Sequence, residues 1–166
     1  TDGGGVAEML SSAATVAVAN VDDAATGTLN VLGAAREGAT LTASLGGVTD
    51  PDGATTTAYR WQENTAGSWT DLPGGTNAAL VIPDDQSFVG KQVRVLATTT
   101  DAAGGSTTFT SAVQTIANVN DAPQGLPTIT GDATLVGATL SANTSGLSDA
   151  DGLGALSYQW LAGGNP

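Results

Sequence analysis

The chain has no cysteine and no histidine. Without thiols no disulfide can brace it, and the usual nucleophile and base arrangements of hydrolytic enzymes are unavailable. Basic residues are nearly as scarce: four Lys and Arg stand against sixteen Asp and Glu, a formal net charge of −12. Nucleic acid and anionic membrane surfaces both require the opposite sign, so neither is expected as a partner, and cations are the natural one. No apolar run approaches the length of a membrane span, so no insertion is expected. No basic segment followed by an apolar one marks a signal peptide in this stretch. Paired carboxylates can hydrolyse glycosides, but they must flank a cleft about 5 to 10 Å across. Asp50 and Asp52 share one loop, so a non-catalytic protein is expected.

What is present is repetition. The phrase "NVDDAA" at Asn20 returns as "NVNDAP" at Asn118, 98 residues on. Three further landmarks shift by 99: "TDPDG" at Thr49 becomes "SDADG" at Ser148, "EGATLTAS" at Glu37 becomes "VGATLSAN" at Val136, and "YRW" at Tyr59 becomes "YQW" at Tyr158. "TDGGG" at Thr1 matches "TDAAG" at Thr100 in the same way. An ordered set of matches at one period marks tandem units. Residues 20–117 read as one complete repeat, 1–19 as the C-terminal strand of a preceding one and 118–166 as the first half of a following one. A unit of about 100 residues is large enough for one core.

Inside the complete unit, segments rich in Thr, Val, Leu and aromatics alternate with Gly, Pro, Asn and Asp. Strands are expected at 26–33, 39–45, 57–63, 68–72, 78–83, 92–100 and 107–117. Val93, Val95 and Ala97 set against Arg94 and Leu96 show the period of two that a half-buried strand needs. Short strands at this spacing with no helical stretch predict an all-β, immunoglobulin-like antiparallel sandwich of Greek-key type, present here as one complete and two partial repeats. Trp61 and Trp160 fall in the third strand of each unit and are expected in the core.

The junction "NVNDAP", the "SDADG" loop some 30 residues later, the "YQW" strand and the "VGKQVRVLATTTDAAGG" strand and turn together resemble the cadherin-like or immunoglobulin-like repeats of large secreted RTX-type bacterial adhesins. The junction is also similar to the calcium-binding linker of cadherins. The resemblance implies calcium as the bound ion, an extracellular or bacterial cell-surface location, and a spacer role in cell-surface adhesion. In a sandwich of this order the chain start and the loops after the second and sixth strands share one pole, so Asp22, Asp23, Asp50, Asp52 and Asp101 are expected to converge there. Calcium takes six to eight oxygens, which carboxylates and carbonyls supply. Two readings of Asp50-Pro51-Asp52-Gly53 stay open, a favourable turn or a ligand pair. At the opposite pole Glu37 is expected to meet Asn118, Asn120 and Asp121 of the second junction and Asp149 and Asp151 of the following unit. Asp84 and Asp85 lie there too, either as ligands or as a polar turn.

Other readings are weighed beside this one. A carbohydrate- or ligand-binding module attached to a secreted enzyme would show exposed aromatics, for which Trp69 is the candidate. A Lys–Asn cross-link would have to use Lys91, the only lysine. The partial units leave unpaired edges. Neighbouring repeats of the same polypeptide are therefore expected partners, together with strand exchange in which 1–19 of one molecule completes 118–166 of another. An unknown surface receptor or glycan would be reached through other domains.

Overall fold

A computed structural model describes residues 3–5, 7 and 9–162. The expected strands form near their expected bounds: β1 (Thr26–Leu32), β2 (Thr40–Thr49), β3 (Thr56–Thr65), β4 (Ser68–Asp71), β5 (Ala79–Val81) and β6 (Gln92–Thr100). The single strand expected at 107–117 is two, β7 (Ser106–Thr110) and β8 (Gln114–Thr115). Both pair with β6, but Leu96 faces Thr110 whereas Val93 faces Gln114, so one extra residue is inserted between them. Ser111 holds this bulge. Its N–H donates to the Val95 carbonyl and its buried hydroxyl accepts the Val95 N–H, both at 3.0 Å.

Sheet order is β1-β2-β5 on one side and β4-β3-β6-β7 on the other, with β8 on the far end of β6. The chain changes sheets from β2 to β3, from β4 to β5 and again from β5 to β6, so the residues between Ala25 and Ala117 form an immunoglobulin-like antiparallel sandwich. Its core joins Leu29, Leu41, Ala43 and Ile82 of one layer to Trp61, Val93, Val95 and Ala97 of the other, closed by Ile116. Trp61 is completely buried, and the loop after β4 wraps it: the Trp61 Nε1–H donates to the Asn77 carbonyl at 3.0 Å and its N–H to the Gly75 carbonyl at 2.7 Å. Gly75 fits there because a Cβ would lie 3.0 Å from the Trp61 Cβ.

After Ala117 the chain starts the same plan again. β9 (Thr128–Thr130) pairs with β10 (Ser141–Asn143) so that Ile129 faces Ala142, just as Val31 faces Ala43 one period earlier. The opening Thr26–Thr49 pair returns as the bridge between Gln124 and Ser148. Gly33 and Gly131 both take positive φ, 104° and 110°, where a Cβ would strike the Thr40 or Thr139 carbonyl oxygen.

The third strand expected in this second unit is not formed, and Trp160, expected in the core, is 54% exposed beside the exposed Tyr158. In the complete unit β3 is held by β6, and no counterpart of β6 lies within these residues. A strand with neither neighbour has no ladder to join. Residues 9–24 likewise form no strand, and their side chains are exposed. Thr1, Asp2, Val6, Glu8 and residues 163–166, which belong to the expected partial repeats and the "TDGGG" match, lie outside the described residues.

Candidate metal centres at the two junctions

The two copies of the acidic phrase make the same pair of hydrogen bonds to the loop that follows. At the first, the Asn20 side-chain amide donates to Asp52 Oδ1 at 2.5 Å and the Asp23 N–H donates to Asp52 Oδ2 at 2.6 Å. At the second, the Asn118 amide donates to Asp151 Oδ1 at 2.7 Å and the Asp121 N–H to Asp151 Oδ2 at 2.6 Å. Each loop is shaped from inside: Asp50 Oδ1 accepts the Asp52 N–H and Asp149 Oδ1 accepts the Asp151 N–H, both at 2.9 Å. Asp50 and Asp149 therefore build the turn that presents the second aspartate, as the turn reading of Asp-x-Asp-Gly expects. The donated N–H bonds, the Asp23 or Asp121 backbone foremost and the asparagine amide next, hold the Asp52 and Asp151 carboxyls below the ordinary value.

At the first pole three carboxylates come together. Asp22, Asp52 and Asp101 each offer an oxygen, and these oxygens lie within 4.8 Å of one another. Asp101 ends β6 and is 8% exposed. Its Oδ1 accepts three backbone N–H groups, from Ala103 at 2.6 Å, Gly104 at 2.8 Å and Gly105 at 3.1 Å, which lock the carboxylate. Its Oδ2 is buried and has no hydrogen-bond partner. Asp22 packs over Gly105, where a Cβ would lie 1.4 Å from Asp22 Oδ1. Desolvation at this contact, followed by the adjoining Asp101 carboxylate, pushes the Asp22 carboxyl above its ordinary value. Asp23, the other expected ligand, contributes its N–H.

At the opposite pole Glu37, Asp121 and Asp151 form a second cluster with the same spacing limit. Glu37 sits in the bend between β1 and β2 and is only 3% exposed. Its Oε1 accepts the Val119 N–H, while its Oε2 is buried and unpartnered. The cluster spans the junction, with Glu37 from the unit before, Asp121 from the connecting segment and Asp151 from the unit after. Asn118 and Asn120 act as amide donors, Asn120 to the Asp121 carbonyl at 2.8 Å. Asp84 lies against Gly38, and Asp85 Oδ1 accepts the Ser87 N–H at 2.8 Å; the Ser87 hydroxyl first and its N–H next lower the Asp85 carboxyl, and both aspartates are turn residues.

Gly105 and Gln86 were not visible as site residues in the sequence. Gly105 carried one signal, the paired glycines after Asp101. Gln86 carried none beyond its place in a polar turn.

Trp69 is half-buried, with the Arg94 guanidinium 4.2 Å from its ring centre. Arg94 is itself fixed by the Gln62 side-chain oxygen at 2.9 Å. Lys91 pairs with Glu63 at 3.0 Å and lies over Phe88. No protein-family model matches this chain, and no curated protein matches it significantly.

Proposed function

We propose that this chain is a non-catalytic, extracellular tandem-repeat spacer of a bacterial adhesin, whose junctions are stiffened by calcium. The observation that carries the reading is the pair of buried, unpartnered carboxylate oxygens, Glu37 Oε2 and Asp101 Oδ2, one in each acidic cluster. A buried anionic oxygen without a donor costs more than the 1 to 3 kcal/mol or so of an ordinary unsatisfied group. A cation relieves that cost. The donor set is entirely oxygen, as hard cations prefer, and its irregular mix of monodentate carboxylates suits calcium better than the strict octahedron of magnesium.

Glu37, Asp121 and Asp151 would hold an ion at the second junction, and Asp22, Asp52 and Asp101 at the first. Calcium supplies electrostatic neutralisation there and no reaction. What the protein contributes is pre-shaping. The connecting segment is already bonded to the following loop through Asn118 and Asp121, and to the preceding unit through Val119. Binding therefore tightens a formed junction instead of ordering a free one. The return of the same strand register one period on supports the tandem role, and the exposed edges of 118–162 leave strand exchange with a second molecule open as a means of completing that unit.

Calorimetric titration of the 166-residue chain with calcium tests the reading, alongside Asp101→Asn and Asp151→Asn variants. Binding with a Kd of roughly 10⁻⁴ to 10⁻³ M, weakened in both variants, is expected, since extracellular modules bind in that range. No heat of binding, or binding that neither variant alters, would sink it.

A further inference from the structure

One contact across the second junction involves neither an acidic ligand of the earlier unit nor the connecting segment's backbone. The Gln86 side-chain amide, from the turn between β5 and β6, donates to Asp151 Oδ1 at 2.9 Å and to Asn118 Oδ1 at 3.0 Å. Asn118 in turn donates to the same Asp151 oxygen. One amide thus ties the complete unit both to the connecting segment and to the loop of the next unit, 65 residues on. The turn that presents Gln86 is fixed by the Asp85 carboxylate on the Ser87 N–H.

We infer that Gln86 is a latch that sets the orientation of adjacent units without any ion. At the first junction Asp52 Oδ1 accepts the Asn20 amide, the same bond that Asn118 makes to Asp151 Oδ1. At the second junction Asp151 receives one further donor, and that donor comes from the other unit. Hydrogen bonds to a carboxylate are the stronger kind, and three N–H groups converge on this one. Gln86 brings a hydrogen-bond donor from the complete unit onto Asp151, the carboxylate that also receives the connecting segment. The consequence is a division of labour, in which the latch fixes direction and the carboxylate cluster fixes stiffness. The latch goes beyond the calcium reading and does not depend on it.

The absence of cysteine makes the test direct. Spin labels on Thr57→Cys in β3 and Thr128→Cys in β9, both exposed, report the distance between units by pulsed electron resonance in the presence of chelator. The unaltered latch should give one narrow distance peak. Gln86→Met, of equal length but without donors, should lose it, and Gln86→Glu, which sets like charges together, should lose it as well. The melting temperature of the complete unit should stay the same in both, since Gln86 is not part of its hydrophobic core. A broad distribution with Gln86 intact, or a peak that survives both substitutions, overturns the inference. It would leave the calcium reading standing, because that depends on binding and this on geometry in chelator.

Discussion

Replacing Glu37 by Gln separates a cation clamp from an ordinary polar junction, because the two predict opposite signs. Glu37 is 3% exposed, gives one oxygen to the Val119 N–H and leaves the other without a donor near Asp121 and Asp151. Glutamine keeps the size and the accepting oxygen but turns an N–H₂ group toward those two carboxylates. In chelator the substitution removes a buried, unsatisfied anion and adds a donor, so stability should rise by about 1 to 3 kcal/mol. For a unit of this size each kcal/mol moves the melting temperature by roughly 4 to 8 °C. With calcium at a hundred times its Kd, the unaltered chain should gain about 2.7 kcal/mol from one site. The variant loses that gain at the second junction and keeps it at the first. Differential scanning calorimetry of the two proteins, each with calcium and with chelator, should therefore show Glu37→Gln melting higher in chelator and gaining less from calcium. A variant destabilised equally in both conditions would refute the reasoning and make Glu37 a structural hydrogen-bond acceptor only.

Gly105→Ala should strike the first centre alone. Its Cβ would overlap the exposed Asp22 and lie 2.5 Å from Oδ2 of the buried Asp101, which three backbone N–H groups hold in place. Calcium affinity at that pole should fall at least about tenfold, because ligand number and charge tune affinity over decades. The melting temperature in chelator should fall as well, because the fixed Asp101 carboxylate must shift; calorimetric titration and a thermal scan check both. Trp61→Ala and Trp160→Ala alter period-related residues, yet the first should cost about 3 to 5 kcal/mol and the second within about 0.5 kcal/mol, read from denaturant midpoints. In chelator, the depressed Asp52 and Asp151 carboxyls contribute stability that is full above the ordinary value of 3.8 and lost as pH falls through their folded values. Amide exchange at Asp23 and Asp121 should therefore accelerate below that pH. Asp22 has the opposite sign, its contribution being full at low pH and fading as pH rises through its raised value.

The strands were legible because Thr, Val and aromatic alternation is a local property, and β6 carries it without a break from Val93 to Thr99. The bulge at Ser111 was not, since it arises from one hydroxyl taking a bond in the ladder of a distant strand. Asp22, Asp52 and Asp101 could be brought to one pole from connectivity alone. Which carboxylates face inward could not, because Asp50 and Asp52 differ only in how the turn spends them: one caps its own loop and the other receives the connecting segment. Trp160 shows the limit of reading by period. It copies Trp61 in sequence, but burial is a property of the neighbouring strands, and those that cover Trp61 have no copy beside Trp160.

The identical bonding of Asn20 to Asp52 and of Asn118 to Asp151 has a geometric result at larger scale. Each bond seats the connecting segment on the loop of the unit that follows; where the Gln86 and Glu37 contacts from the preceding unit recur as well, one rotation and one translation are applied at every step and trace a screw. A long array joined this way would coil about a common axis, with its pitch written into the Gln86 latch, the Glu37 contact and the aspartate loop they meet. Reach per unit would then be fixed as in a spring, and a pull along the array would be met first by the angle at each joint and only later by the sheets themselves.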